Sequence, residues 1–398
     1  MDTVLKGVKV LDVTHYIAGP YCTKILADYG AEVVKIERPV RGDEGRRLEP
    51  FYRDESGTER SGFFHYLNTN KKGITLNLKT DEGQAIFKRL VKNSDILVEN
   101  FHPRVMSGLA LDYSALESIN PHLVMVSISN FGHTGPYRDF KATEIVLDAM
   151  GGWSAIIGHA EREPLKPGGS QAQFLSGLFG SIAAVSAFYG RHMSGAGQHV
   201  DISIMEAVLY IQMNLTSYYD YDEIITKRWG NRVSPVPGGI YACKDGYVGA
   251  ITVTQEKWVA LCEWMGMPEL ADDPRFRTAE NRVANVAELD SILAPWLKNY
   301  TEAELLQEGQ KRRLPFGIPL SAEKLLKSRH LNERGYFMEV DHPITGKIRY
   351  PGPPLKMGEM PYTLTRAPFL GEHNEEIYCG RMGFSANDVA KMSAEGIV

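Results

Sequence analysis

The chain has 398 residues, of which 43% are hydrophobic and 23% charged, and its formal net charge is −5. This composition is typical of a globular protein with enough core for two or three domains. A negative balance argues against a nucleic-acid-binding protein, which would normally carry a basic face, so we expect no nucleic-acid partner.

Cysteine, histidine and hydrophobic patterns give further expectations. The four cysteines share no ligand-like spacing and the eleven histidines form no metal-binding motif, so we expect free thiols in the cytoplasm and no metal. Because a strand is predicted from Val8, we expect no signal peptide. The most apolar run, 174–189, is shorter than a membrane span, so we expect a buried helix and no membrane contact.

The N-terminal stretch predicts a βαβ unit. An apolar run at 8–13 predicts a strand, and Ala18-Gly19-Pro20 marks a break after it. Apolar residues at helical spacing then predict a helix at 21–29, and a second strand is predicted at 33–37. The strand-to-helix corner of such a unit offers free N–H groups to an anion. Because this corner lacks Gly-x-Gly-x-x-Gly, we expect either a nucleotide-containing ligand held differently from a dinucleotide, or an ordinary turn.

Strands and helices keep alternating to about residue 135. A long polar loop is predicted at 39–61, and strands are predicted at 74–79, 95–99 and 123–128. One predicted helix follows Thr80, and two others occupy 114–119 and 141–150. This alternation predicts an α/β fold whose Rossmann-like domain holds a mostly parallel, doubly wound sheet.

The second half of the chain predicts a smaller α+β domain. A long helix at 172–192, closed by Gly195, precedes a strand at 199–203 and a helix at 204–213. Asp245-Gly246 predicts a hairpin at 240–250, and helices are predicted at 258–265, 286–296 and 302–310, then a strand at 336–340 and a proline-rich segment at 351–361. We predict a large domain at 1–225, a small domain at 226–330, and a segment at 331–398 that returns to the large domain.

Short motifs in a fixed order run through nearly the whole chain. They are Leu11-Asp12-Val13-Thr14-His15 with Ala18-Gly19-Pro20, Gly30 to Glu37, Gly42-Asp43, Asn70-Lys71, Val98-Glu99-Asn100-Phe101, Gly195-x-Gly197-Gln198 and Arg366 to His373. Together they resemble the family III CoA-transferases, which include formyl-CoA transferase and the carnitine CoA-transferases. The resemblance implies transfer of CoA between an acyl-CoA and a carboxylic acid. It also implies an interlocked-ring dimer of identical or paralogous chains.

The resemblance also implies which residues bind coenzyme A. Ile17 and Ala18 would line the adenine and pantetheine path, and Arg38 would meet the phosphates, since a planar guanidinium suits phosphate better than an ammonium. Lys141 and Glu144 match polar positions near the thioester. The remaining matched positions are His15, Leu76, Asn77, Leu78, Lys79, Asn100, Phe101 and His102.

One aspartate carries the chemistry that the resemblance implies. Its carboxylate attacks the thioester and forms a mixed anhydride, which is exchanged through an aspartyl-CoA thioester for a second acid. In the matching stretch, 168–177, that position is held by Gln173. A neutral amide cannot carry out this exchange, so the match is strong for the fold and for coenzyme A binding and broken at the nucleophile.

Three interpretations of Gln173 stay open. The one we favour is a subunit that works with an Asp-bearing paralogue, as in heteromeric benzylsuccinate-type CoA-transferases, because Gln171 and Phe174 also look altered. In the second, another carboxylate, Glu144 or Asp148, takes the role of the nucleophile. In the third, Gln173 is a laboratory substitution.

The sequence also bears on a racemase activity, on the acid that is used, and on a function without catalysis. An acyl-CoA racemase of this family needs a histidine and an aspartate for proton transfer, and the matching residues here are Thr143 and Gln173. The glycine-rich loop of formyl-CoA transferase is replaced by 250–255, which favours larger, carnitine-like or aromatic acids over oxalate and formate. A CoA-binding scaffold or regulatory protein without catalysis is the alternative from another class.

Overall fold

A computed structural model describes residues 3–358, 360 and 362–398, without the side chains of residues 213 and 214. The chain forms two compact units. Unit 1 comprises residues 1–153, 166–224 and 332–398, and unit 2 comprises residues 154–165 and 225–331. The predicted proline-rich segment includes positions 359 and 361, which lie outside the described residues.

Unit 1 is built on a six-stranded sheet in which all paired neighbours run parallel. Its strands are β1 (Lys9–Asp12), β2 (Glu32–Glu37), β3 (Lys71–Thr75), β4 (Ile96–Glu99), β5 (Val124–Ser129) and β6 (Gln198–Ser203). The strand order is β3-β2-β1-β4-β5-β6, which is the doubly wound order with its switch point between β1 and β4. The predicted Rossmann-like, mostly parallel fold is therefore confirmed.

Helices cover both faces of this sheet, and the buried residues form one apolar cluster on each face. They are α1 (Ala18–Asp28), α2 (Gly62–Leu67), α3 (Asp81–Val91), α4 (Arg104–Gly108), α5 (Tyr113–Glu117), α6 (Glu144–Met150), α7 (Gln171–Ser194), α8 (Ile204–Tyr210), α9 (Met213–Asp222) and α16 (Ala386–Ala394). Residues Glu375–Arg381 form a π-helical turn. Thr80 caps α3 through the Gly83 N–H at 3.1 Å, as its position ahead of an acidic first turn predicts.

Helix α7 packs tightly against α1, and small residues make this possible. A Cβ atom at Gly177 would lie 2.5 Å from the carbonyl oxygen of Ala18, and one at Gly180 would lie 2.8 Å from Cδ1 of Ile128. At its end, α7 closes on Gly195 in the left-handed conformation with φ 72°. The predicted stop at Gly195 is confirmed.

The segment beyond residue 370 covers strand β3 and belongs to the same core. The backbone N–H of His373 donates to the Gly73 carbonyl at 2.9 Å, and the Tyr378 hydroxyl donates to the Thr75 carbonyl at 2.6 Å. Farther along, the Asn77 N–H donates to the Ile397 carbonyl at 2.8 Å. Tyr378 is fully buried in the apolar cluster on this face, so the last part of the sequence completes the layer that the first part begins.

Unit 1 also contains an antiparallel hairpin, which consists of β10 (Phe337–His342) and β11 (Gly346–Pro351).

Unit 2 contains a small antiparallel sheet and several helices. Its strands are β7 (Gly238–Ala242), β8 (Tyr247–Ile251) and β9 (Phe316–Gly317), and the predicted hairpin is confirmed. Its helices are α10 (Gln255–Met265), α11 (Ala279–Ala284), α12 (Val286–Leu297), α13 (Glu302–Lys311) and α14 (Ala322–Leu326), followed by α15 (Arg329–Glu333). They enclose a separate apolar core around the fully buried Trp258.

Two local predictions differ from the structure, and helix α2 was not predicted. The predicted strand 74–79 is instead β3 at Lys71–Thr75, because Lys71 is buried in an ion pair and so lacks the apolar signature of a strand. The predicted helix at 204–213 ends at Tyr210, and a second helix, α9, follows it. Helix α2 begins directly after the predicted polar loop, where the Ser61 hydroxyl accepts from the Phe64 N–H at 3.1 Å.

Candidate functional site

Buried charged residues fix the corner between β1 and α1. Asp12 lies at the end of β1 and pairs with Lys71 at 3.0 Å, and Lys35 of β2 pairs with Asp43 at 2.8 Å. All four side chains have at most 1% exposure. Lys35 also donates to the Thr14 carbonyl at 3.0 Å. These contacts hold the chain that leaves β1 against the ends of β2 and β3.

The electrostatic balance of this network is set by burial and by opposite charges. Burial alone would raise the pKa of Asp12, but Lys35, Lys71 and hydrogen bonds from two threonines lower it to about 2. Burial lowers the pKa of Lys71 to about 8, against the opposing effect of Asp12. Lys35 and His15 hold the pKa of Asp43 well below its usual range despite its burial. Both aspartates are therefore anionic at neutral pH, and the network is held together by charge.

A reciprocal hydrogen-bonded pair closes the switch point between β1 and β4. The His15 N–H donates to Oδ1 of Asn100, and Nδ2 of Asn100 donates to the His15 carbonyl, both at 2.8 Å. The next residue, Tyr16, has φ 63° and its N–H donates to Oδ1 of Asp43 at 3.0 Å. This left-handed turn aims the half-exposed Tyr16 ring outward from the carboxyl ends of the strands, where doubly wound sheets bind ligands.

A first cavity, which we call the basic cavity, has a volume of about 610 Å³ and opens at the carboxyl ends of β1, β2 and β3. Three cations line it, Arg38, Arg41 and Lys79, together with two acids, Glu37 and Glu44. Its further lining residues include Val13, His15, Tyr16, Ile36, Pro39, Leu76, Asn77, Leu78, Phe101, Val105 and Leu109. The combination of clustered cations and apolar wall suits a ligand with phosphate groups and an aromatic base.

A second cavity, which we call the acyl cavity, has a volume of about 480 Å³ and opens at the carboxyl ends of β4 and β5. It shares Tyr16 and Phe101 with the basic cavity, so the two adjoin across these rings. Its other lining residues include Ile17, Asn100, His102, Ser129, Asn130, Arg138, Phe140, Thr143, Glu144, Ser170 and Gln173. Together the two cavities form a track from Arg38 to Gln173.

Gln173 lies in the first turn of α7, where backbone N–H groups point away from the helix. No side chain caps this end from within the helix, and the cap comes instead from α6: Oε1 of Glu144 accepts from the Ala172 N–H at 2.8 Å. Oε2 of Glu144 is buried without a hydrogen-bond partner among the described residues. A helix N-terminus favours negative charge, so this position is suited to a carboxylate, although the side chain of Gln173 is neutral.

Glu144, which contacts the start of α7, has a second acid, Asp148, one turn further along α6. Burial raises the pKa of Glu144, the Ala172 N–H opposes that rise, and the neighbouring Asp148 adds to it. Burial also raises the pKa of Asp148, whose side chain is fully enclosed. Neither oxygen of Asp148 has a hydrogen-bond partner in the part of the chain that the structure describes.

The structure brings together most of the site residues predicted from the sequence. The basic cavity contains His15, Arg38, Leu76, Asn77, Leu78, Lys79 and Phe101, and the acyl cavity contains Ile17, Asn100, Phe101, His102, Glu144 and Gln173. Ala18 and Lys141 line neither cavity. Ala18 is fully buried in the first turn of α1, and Lys141 is exposed just ahead of α6. The ligand contacts of all these residues stay predictions.

Sequence reasoning missed Tyr16, which lines both cavities, and Arg41, which adds a cation to the basic cavity. A large aromatic residue in a tight strand-to-helix turn was an available signal for Tyr16. For Arg41 the signal was its spacing of three residues from Arg38 in a loop.

Two general features of the described residues bear on ligand and membrane contacts. They contain no group of three or more histidine, cysteine or acidic residues arranged to hold a metal ion. Helix α7 alone among them is long and apolar enough to cross a membrane by length and composition. Such a helix is weak evidence for a span, since core helices of soluble proteins pass the same test, and α7 packs on α1 and β5 within unit 1.

The fold and the two cavities define an α/β domain of the Rossmann-like class with its ligand site at the carboxyl ends of the strands. The family model of CoA-transferase family III matches residues 5–374. The chain belongs to CoA-transferase family III. It is accordingly an enzyme of CoA transfer with acyl-CoA as a substrate, which confirms the family and the enzyme class predicted from the motifs.

Individual relatives cover the chain from end to end. It is 36% identical over 397 residues to succinyl-CoA–D-citramalate CoA-transferase of Chloroflexus aurantiacus, covering 99% of this chain and 98% of that protein. It is 33% identical over 416 residues to formyl-CoA:oxalate CoA-transferase of Streptomyces avermitilis, covering both chains completely. Among solved structures, a CAIB/BAIF family protein from Brucella suis superposes with a TM-score of 0.85 at 32% identity, covering 96% of this chain and 100% of that one.

Proposed function

We propose that this chain is the CoA-binding subunit of a CoA-transferase whose acyl-carrying carboxylate is supplied by an Asp-bearing paralogous chain. The observation that carries this proposal is the track formed by the two adjoining cavities. It runs from Arg38, Arg41 and Lys79 at one end to Gln173 at the other. Phosphates would bind at the basic end, and the thioester would lie at the first turn of α7.

The chemistry of residue 173 separates this subunit from one that works alone. In the transfer, a carboxylate oxygen attacks the thioester carbon, the C–S bond breaks, and the electron pair leaves with the CoA thiolate. The amide of Gln173 has no anionic oxygen for this attack. It can still donate a hydrogen bond from Nε2 and accept one at Oε1, so it is suited to orient an acyl group that another carboxylate carries.

Helix α7 supports the proposal that a second chain binds. Five large apolar side chains on it have exposed fractions between 39% and 82%, namely Leu178, Ile182, Val185, Tyr189 and Met193. Their spacing places them along one stripe of the helix. Exposed apolar patches of this kind mark protein interfaces. The stripe is compatible with an identical or a paralogous partner, and with the interlocked arrangement implied by the family resemblance.

The experiment compares the purified chain, the Gln173→Asp variant, and the chain mixed with an Asp-bearing paralogue encoded beside it. Transfer of CoA from an acyl-CoA to a carboxylic acid is followed by chromatography of the CoA thioesters. Turnover only in the mixture supports the proposal, and turnover gained by Gln173→Asp alone supports the placement of residue 173. Turnover by the unmodified chain alone contradicts it. If the chain binds CoA and no combination turns over, the non-catalytic scaffold alternative replaces it.

Glu144 gives a second candidate function, a transferase that works without a paralogue. The observation that favours it is the unpartnered Oε2 of Glu144, which belongs to a residue lining the acyl cavity beside Gln173. In this case the lone chain turns over, the Glu144→Gln variant does not, and mass spectrometry finds the acyl or CoA adduct at Glu144. The control is Glu163→Gln in an exposed segment of the other unit, which should leave turnover unchanged.

A further inference from the structure

Two loops form much of the wall of the acyl cavity, and each follows the carboxyl end of a strand. We call residues 100–103, which follow β4, the β4 loop, and residues 130–143, which follow β5, the β5 loop. They contribute to the lining Asn100, Phe101, His102 and Pro103 from the first loop, and Asn130, Arg138, Phe140, Ala142 and Thr143 from the second. The separation of the two loops therefore sets the width of this part of the cavity.

A buried carboxyl group lies at the base of the β4 loop. Glu99 is the last residue of β4 and is 1% exposed. Its Oε2 accepts a hydrogen bond from the Phe101 N–H at 2.8 Å, so this side chain fixes the direction in which the β4 loop leaves the strand. Its Oε1 is buried and makes no well-formed hydrogen bond to any described residue.

A second buried polar atom faces that oxygen from the β5 loop. Nε2 of His133 is also buried without a well-formed hydrogen bond to the described residues, and it lies 3.7 Å from Oε1 of Glu99. The gap is too short for a bridging water, because two hydrogen bonds of about 2.8 Å that meet at a water hold their ends about 4.6 Å apart. Since unpaired buried polar atoms are costly, these two atoms are placed to satisfy each other directly.

The surroundings of the pair allow this hydrogen bond in more than one protonation state. Burial raises the pKa of Glu99 to about 7, and Asp201 adds to the rise, whereas the Ser127 hydroxyl and the Phe101 N–H oppose it. Burial lowers the pKa of His133, against the effect of Asp201, so its imidazole is neutral at neutral pH. A protonated Glu99 can donate to Nε2, and an ionised Glu99 can accept from a protonated Nε2.

The β5 loop is also anchored elsewhere, but its other contact with the β4 side is exposed. The His133 N–H donates to Oδ2 of Asp201 on β6 at 2.8 Å. At the surface, Asp139 accepts from Nε of Arg104 at 2.9 Å and lies 3.7 Å from Nε2 of His102. These three side chains are between 39% and 68% exposed. An exposed ion pair contributes little, so the buried pair is the stronger of the two links.

We propose that Glu99 and His133 are positioning residues, and that the hydrogen bond between them holds the β4 and β5 loops at the separation that fits an acyl thioester. This inference rests on the proposed function, which places the thioester in the acyl cavity. Neither side chain lines that cavity, so the pair acts on the ligand through the two loops. Loss of the link loosens the acyl end of the track, whereas the nucleotide end in the basic cavity keeps its cations.

The test compares two probes by isothermal titration calorimetry. Acetyl-CoA extends along both cavities, and 3′-phospho-ADP, the nucleotide part of coenzyme A, occupies only the basic cavity. Glu99→Met removes the carboxyl group at similar volume, and we expect it to weaken acetyl-CoA binding by about five- to tenfold and to change 3′-phospho-ADP binding by less than about twofold. Glu99→Gln keeps an acceptor for the Phe101 N–H and a donor toward Nε2, so it should bind both probes as wild type does.

A double-mutant cycle separates one shared hydrogen bond from two independent roles. His133→Phe removes the link from the β5 loop and serves alone if Glu99→Met does not fold. The double variant should lose no more acetyl-CoA affinity than the weaker-binding single variant, because both changes remove the same bond. The matched control is His122→Phe, at an exposed histidine ahead of β5, which should bind both probes as wild type does.

Four results overturn the inference: additive losses in the double variant, equal losses for the two probes, unchanged acetyl-CoA affinity in the single variants, or a Glu99→Gln variant that binds as weakly as Glu99→Met. The wild-type titrations test the proposed function separately. A wild-type chain that binds neither probe contradicts the proposed function and this inference with it. A wild-type chain that binds both, with no selective loss in the variants, contradicts only this inference.

Discussion

Arg38 gives the sharpest test of the basic cavity. Its guanidinium lines the cavity at the end of β2, is 43% exposed, and pairs with Glu44. Replacement by alanine removes one cation that can bind a phosphate of coenzyme A with two parallel hydrogen bonds. The fold should tolerate the change, because the side chain is half-exposed and its pair with Glu44 is a surface one.

The size of the expected effect follows from the surroundings of Arg38. Loss of a hydrogen bond to a charged group costs about 1–3 kcal/mol, which corresponds to about fivefold to about 150-fold in affinity. Because Arg38 is half-exposed and shares Glu44 with Arg47, we expect the lower half of that range. Glu44→Gln should act in the opposite direction and tighten binding, since it leaves the guanidinium free.

Arg47→Ala is the matched control. Arg47 has the same 43% exposure and pairs with the same Glu44, but it does not line the basic cavity. Isothermal titration with coenzyme A at low and high salt should show weakened binding for Arg38→Ala and a smaller salt dependence, with Arg47→Ala close to wild type. Equal affinities for wild type and Arg38→Ala, or equal losses in both variants, would refute the placement of the phosphates.

Three further predictions concern the frame of the site. Gly177→Ala should lower the free energy of unfolding by about 1–3 kcal/mol, because the new methyl group overlaps a carbonyl oxygen of α1. The control, Gly190→Ala, should raise the free energy of unfolding by up to about 1 kcal/mol, because its methyl group meets no other atom. Equal free energies of unfolding for the two variants in urea would contradict the close packing of α7 on α1. Burial raises the pKa of Glu99 from 4.5 to about 7. Between these two pH values the unfolded chain has released this proton while the folded chain still holds it. The free energy of unfolding therefore falls by about 3 kcal/mol as the pH rises from about 4.5 to about 7. Glu99→Gln should abolish this fall, and denaturation at pH values on both sides of the window checks it. Asp12→Asn leaves Lys71 buried without its counter-ion, so it should lower the free energy of unfolding by about 3–5 kcal/mol, measured by thermal or urea denaturation. A variant as stable as wild type would contradict a network held together by charge.

The sheet of unit 1 was predictable because its strands are apolar runs that alternate with helical spacing. The exception is instructive. Lys71 begins strand β3 with a charged side chain that is fully buried. Its pairing with Asp12, far away in sequence, makes this burial possible. Hydrophobic periodicity depends only on neighbouring residues, so it predicted that this strand begins at the first apolar residue, Ile74, and not at Lys71. The same limitation hid α2, whose start depends on a single hydroxyl cap at Ser61.

The candidate site was predictable where motif and topology coincide. His15 and Asn100 follow two strands that become neighbours at the switch point, and the structure joins them by two hydrogen bonds. The role of Glu144 could not be foreseen in the same way. Glu144 matters because it caps a helix that begins nearly thirty residues later. Such contacts are properties of the folded chain.

The late return of residues 373–398 to strand β3 has a consequence for biosynthesis. Domains fold as the ribosome delivers them, the earliest part first, yet the edge of this sheet waits for Tyr378 and Ile397 to arrive. Until then the nascent polypeptide exposes the edge of the sheet at strand β3, which chaperones that bind unfolded segments could contact. Shielding during translation would consequently matter more for this protein than for one whose sheet is completed from contiguous sequence.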